Sequence, residues 1–168
     1  MINSVIRLGL ISILLILFQL LVLNNIQFSG YVNPYAYVMI ILILPSLTPG
    51  WLLLIISFLT GLIIDLFSGS PGMHASATVL AGFSRPYVLQ LIAPRDGYES
   101  GSELTISVYG LRWFLVYAGI IVLIHHTSLF FLEVFRLEGF FRTILRILLS
   151  SSFTLGFILL LEYYRKGR

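Results

Sequence analysis

Cysteine is absent from all 168 residues, which excludes disulfides, thiolate nucleophiles and Cys-based metal sites together. Charge is nearly as scarce: Asp, Glu, Lys and Arg make up 10% of the chain, where a soluble domain carries about one quarter. There is also no glycine-rich phosphate loop, no Ser/His/Asp spacing of note and no pair of acids inside an apolar run. An enzyme is therefore not expected, and neither is a cofactor. The formal net charge of +3 is too small and too scattered for a nucleic acid surface. No repeat of solenoid length and no low-complexity stretch is visible.

Apolar side chains fill the space these absences leave. Hydrophobic residues are 58% of the chain and the mean hydropathy is +1.01. Such a sequence cannot cover a water-facing surface, so a single integral membrane domain over residues 1–168 is expected, with the lipid bilayer as its solvent. About 20 apolar residues cross a bilayer core as a helix. The first such run is Val5–Leu23, which lacks a small-residue cleavage site before Asn24-Asn25 and reads as an uncleaved helix. Asn33-Pro34, Thr48-Pro49 and Ser70-Pro71 each set a capping side chain before a proline, the pattern of a helix start. They predict helices over Pro34–Leu47, Pro49–Phe67 and Pro71–Ile92, followed by Ser107–Val134 and Phe140–Tyr164. The fold class is thus all-α, a polytopic bundle of about six transmembrane helices.

Pro34–Leu47 is short for a crossing, about 21 Å at 1.5 Å per residue, and Pro45 disturbs its end. Charge asymmetry argues for counting it. With six crossings, Arg7, Arg85, Arg95, Arg112, Arg165, Lys166 and Arg168 fall on one side, against Arg136, Arg142 and Arg146 on the other. The richer side is cytoplasmic by the positive-inside rule, which puts both termini there. The long polar segment Ala93–Ile106 is then a solvated cytoplasmic loop, open to a cytosolic partner.

Polar residues inside apolar runs are the candidate sites. Asp65 lies at the outer end of the third helix, next to the turn Ser68-Gly69-Ser70-Pro71-Gly72, which it is expected to brace. Arg85 lies deeper in the fourth helix, about 20 Å away by helix rise, so an Asp65–Arg85 ion pair is not expected. Its side chain should instead snorkel towards the cytoplasmic interface. The fourth helix is rich in small residues, with Ala77, Ala81 and Gly82 on it. Small residues let helix backbones approach closely, so this helix is expected to pack centrally, to line a ligand cavity or to present a docking face. At the depth of Asp65 stand His125 and His126, together with Glu138, Arg142 and Arg146 at spacings of four. These residues predict an outer polar cluster. Adjacent histidines point about 100° apart on a helix, and no third ligand is suggested by spacing, so a metal site is not expected.

The stretch Gly61-Leu62-Ile63-Ile64-Asp65-Leu66-Phe67-Ser68-Gly69-Ser70-Pro71-Gly72-Met73-His74, followed by Gly82-Phe83-Ser84-Arg85, resembles the rod-shape-determining MreD family. The resemblance extends in general character to length, helix number and basic tail. It implies a fold similar to the substrate-binding subunits of energy-coupling-factor transporters. It also implies a non-enzymatic role in the cell-elongation machinery of the bacterial inner membrane. There the protein would dock an MreC-like bitopic partner and help link an MreB-like filament to peptidoglycan synthases. Asp65, Gly69, Gly72 and Arg85 are the positions that carry this resemblance. A small-solute-binding transporter subunit is the alternative, and it requires a closed outer cavity lined by Tyr, His and Arg from the last two helices.

Overall fold

The computed structural model describes residues 2–26, 32–99, 101–134 and 139–166. Its regular elements are all helical: α1 (Ile2–Leu21), α2 (Met39–Ile43), α3 (Gly50–Ser68), α4 (Met73–Leu91), α5 (Ile106–Tyr109), α6 (Leu111–Val134) and α7 (Phe140–Lys166), with short 3-10 turns at Leu23–Asn25 and Ala36–Val38. Four stretches, Val5–Asn25, Gly50–Ser68, Leu111–Val134 and Phe140–Arg165, are long and apolar enough to cross a membrane, so the chain is a multi-pass membrane protein.

The bundle has two ends. At the turn end, α3 passes into α4, and Asn24 after α1 donates to Ser68 at 3.2 Å. At the loop end, Glu103 of the 93–105 loop meets Arg7 of α1 and lies 3.9 Å from Arg165 of α7. The order of packing is α3 on α4, α4 on α6 and α6 on α7, with α1 against α3 and the α2 segment. The α3–α4 contact is close because small residues face each other. A methyl group added at Gly82 would collide with the Ser57 hydroxyl, and one at Gly61 would sit 2.5 Å from the Ala75 Cα.

The segment expected as helix Pro34–Leu47 departs most from expectation. It forms one 3-10 turn and five residues of α-helix, then becomes extended at Leu44. Every residue from Ala36 to Ile43 is buried, none exposing more than 2%. Apolar character on all sides is what a segment surrounded by protein requires. Irregular backbone at membrane depth is tolerated only inside protein, because lipid offers its N–H and C=O groups no partner.

The capping pattern also gives way to other partners. Thr48 Oγ1 donates to the Pro45 carbonyl and Ser70 Oγ donates to Asp65, and the helical turns that follow Asn33, Thr48 and Ser70 start at Tyr35, Pro49 and Gly72 with no side-chain cap. The predicted Ser107–Val134 helix is interrupted at Gly110, which separates the one-turn α5 from α6. The 93–105 loop is folded back rather than free. Leu104 is fully buried, Tyr98 donates to the Leu89 carbonyl at 2.8 Å, and Ser46 N–H donates to the Ser102 carbonyl at 3.1 Å. Partial burial pushes the Tyr98 phenol pKa up from its ordinary value.

Candidate functional site

The unravelled segment before α3 leaves backbone groups without helical partners, and intramembrane side chains supply them. At its end near Pro45, Arg85 donates through Nη2 to the carbonyls of Leu44 and Pro45, and through Nε to the Tyr117 hydroxyl at 2.7 Å. Tyr117 in turn donates to the Leu42 carbonyl at 3.3 Å. A cation is well placed at the C-terminal end of a helix, where free carbonyls concentrate negative partial charge. Arg85 is 1% exposed, so the expected snorkelling does not occur: the carbonyls hold the guanidinium inside the bundle.

At the other end of the segment, Gln19 Nε2 of α1 donates to the Pro34 carbonyl at 3.1 Å. Two hydroxyls of α7 receive the backbone N–H groups of Asn33 and Tyr35: Ser150 at 3.0 Å and Thr154 at 2.9 Å. The segment is therefore clamped at both ends by side chains from α1, α4, α6 and α7.

Between the clamps runs a line of aromatic and imidazole groups. The Tyr37 hydroxyl lies 2.9 Å from His74 Nδ1 and 2.7 Å from His125 Nε2. His126 places Nδ1 at 2.9 Å from the Val122 carbonyl, so that nitrogen carries the hydrogen, and Nε2 accepts from Thr154 at 3.0 Å. Tyr35 packs its ring against His74, His125 and His126 with centroids 5.2 to 6.1 Å apart.

Asp65 closes the turn end. Its Oδ1 accepts from Ser70 Oγ and the His74 N–H, both at 3.0 Å, and its Oδ2 accepts from the Ala75 N–H at 2.9 Å. These two backbone N–H groups are free donors at the start of α4, so a carboxylate from the preceding helix caps the next one. Gly69 and Gly72 adopt left-handed backbone, φ 65° and 82°, which lets four residues reverse the chain. Asp65 and Arg85 thus serve separate sets of partners at different depths.

The predicted outer cluster divides. His125 and His126 are fully buried behind Tyr35 and face no open space. Arg146 pairs with Glu133 of α6 at 3.1 Å and lies 4.5 Å over the Phe130 ring. Arg142 is exposed and Glu138 lies outside the described residues. The small residues of α4 pack inside the chain: Ala77, Ala81 and Gly82 are buried against its own neighbouring helices.

A cleft of about 690 Å³ opens beside the α3–α4 turn, between Asn24, Tyr35, Ser68, His74 and Glu133. It is open on one side, and neither His125, His126, Arg142 nor Arg146 lines it. Among the described residues no group of three acids and histidines is placed to hold a metal ion.

Sequence reasoning missed Tyr35, Tyr37, Tyr117, Gln19 and Glu133. The lone Gln19 in a Leu/Ile run was a signal of the same kind as Asp65 and Arg85, whereas the tyrosines look like ordinary membrane aromatics. No protein family, curated protein or solved structure matches the chain.

Proposed function

We propose that this protein is a non-enzymatic scaffold of the bacterial cell-elongation machinery, of the kind its MreD-like hinge implies. One observation supports the reading above others. The polar side chains within the bundle, Arg85, Tyr117, Gln19, Thr154 and Asp65 among them, bind the chain's own backbone and so serve to fix its shape. A rigid bundle with an apolar exterior is suited to hold another protein's transmembrane helix.

In this reading α4 and the clamped 33–46 segment cross the bilayer alongside the four long apolar helices, giving six passes with both termini cytoplasmic. The partner is an MreC-like bitopic protein in the inner membrane, and through it the chain helps couple an MreB-like filament to peptidoglycan synthesis. With the small residues of α4 buried, the partner's helix docks elsewhere. Ser152 and Gly156 on α7 are both exposed, and nothing stands within 4 Å of a methyl group added at Gly156. Small residues four apart admit a close helix crossing, with contacts worth roughly 0.6 to 2 kcal/mol per interhelical hydrogen bond.

The test is in-membrane crosslinking to the bitopic partner. Gly156→Leu should lower the yield severalfold while leaving insertion and folding intact, and Gly9→Leu on α1, where the space is also open, serves as the control. Equal yields from wild type and Gly156→Leu would remove α7 as the docking face.

A further inference from the structure

The cleft at the turn end has two kinds of wall. Leu17, Leu21 and Phe67 form an apolar rim and are 46%, 70% and 72% exposed. They lie near the ends of the long apolar helices α1 and α3, where the hydrocarbon of a bilayer gives way to headgroups. Behind the rim the wall is polar and holds hydrogen-bonding groups left without partners among the described residues. His74 gives Nδ1 to Tyr37, and its Nε2 has no partner. Ser68 Oγ accepts from Asn24 but donates to nothing, and the Tyr35 hydroxyl is likewise uncommitted. Asn24 uses one amide hydrogen on Ser68 and keeps the other.

Charge narrows what this wall can receive. Among the described residues Glu133 is the one ionisable carboxylate in the lining, and Arg146 already answers it at 3.1 Å. Asp65, just behind the turn, has three donors of its own. Among the described residues no Lys or Arg lines the cleft, and the nearby Arg146 is taken up by Glu133, so a phosphate-bearing head would meet acids and no unpaired cation there. A cationic head finds no unanswered acid. The remaining capacity is neutral and suits hydroxyl groups, which donate and accept in turn. A volume of about 690 Å³ falls in the range of small-molecule sites.

We propose that the cleft binds a single membrane amphiphile with an uncharged polyhydroxyl head. The head lies among Asn24, Tyr35, Ser68 and His74, and the hydrocarbon chain runs down over Leu17 and Phe67. This assignment rests on the cleft alone and is independent of the scaffold role.

The experiment uses the full chain reconstituted in phosphatidylcholine nanodiscs doped with either a monoglucosyl diacylglycerol or phosphatidylglycerol. Lipid retained on release into the gas phase is counted by native mass spectrometry, alongside thermal unfolding. One retained glucolipid per chain and a raised Tm are expected, with no such effect from phosphatidylglycerol or from free glucose. Ser68 is exposed, so Ser68→Tyr can fill the cleft at the loss of one surface bond from Asn24, and it should reduce glucolipid retention about tenfold while the chain still unfolds cooperatively in plain phosphatidylcholine. Several results would overturn the proposal: no retained glucolipid, equal retention by Ser68→Tyr, preference for phosphatidylglycerol, or stabilisation by glucose alone.

Discussion

Arg85 shows how one buried cation can organise a membrane bundle. An arginine inside an apolar environment normally needs an acid, yet this one has two carbonyls and a phenol. The arrangement works because the segment before α3 ends early and leaves those carbonyls free. Replacing Arg85 by Met should cost about 3 kcal/mol, since buried carbonyls of the 42–45 segment and the Tyr117 hydroxyl lose their partners together. Thermal unfolding in detergent measures this, and Arg85→Lys should recover only part of the loss because one ammonium cannot span both carbonyls and Tyr117. Asp65→Ala should cost about 1 to 2 kcal/mol by freeing two N–H groups at the start of α4. Asp65→Asn, which keeps one acceptor oxygen, should fall between Asp65→Ala and wild type in the same assay. If Asp65→Ala unfolds at the wild-type temperature, the carboxylate is not the cap.

At the scale of elements, the α3–α4 hairpin is closely packed, and the two glycines at its helix contact should respond differently to substitution. Gly61→Ala places a methyl against the backbone of Ala75, which cannot move without shifting α4. Gly82→Ala meets a Ser57 side chain that can change rotamer. Gly61→Ala should therefore destabilise by about 2 kcal/mol and Gly82→Ala by less, as read by the shift in unfolding midpoint. Equal shifts would place the closest approach elsewhere. This hairpin was legible in the sequence because its determinants are local. Asp65, the glycine turn and the N–H groups it caps lie within ten residues of one another. The broken segment was not legible, since its partners stand far away in the chain: Arg85 is 41 residues from Leu44, and Tyr37 is 88 from His125. No spacing rule reaches that far. The residues before Pro49 and Pro71 misled for a related reason: a side chain that can cap a helix can equally serve a carbonyl or a carboxylate, as Thr48 and Ser70 do, and the surrounding contacts decide which.

For the whole molecule, the two ends are built differently. The turn end carries the Asp65 cap and the open cleft, whereas the loop end is laced by ions. Glu103 joins Arg7 to Arg165, and Glu162, 1% exposed, takes Arg165 Nε at 2.9 Å. The composition pointed to a membrane protein and to helices. It could not reveal that a polar-looking loop closes one end of the bundle, because burial of Leu104 and the bonds to Ser46 depend on the assembled fold.

The proposed six-pass topology requires the short, clamped 33–46 segment, helical only from Ala36 to Ile43, to carry the chain from one face of the membrane to the other. The absence of cysteine allows a direct test, because a single introduced thiol has no background. Asn25 and Leu47 flank the segment and both are exposed. Asn25→Cys and Leu47→Cys should react with a membrane-impermeant maleimide from opposite sides, Asn25→Cys in intact cells and Leu47→Cys only in inverted vesicles. Labelling of both positions from the same side would contradict the account.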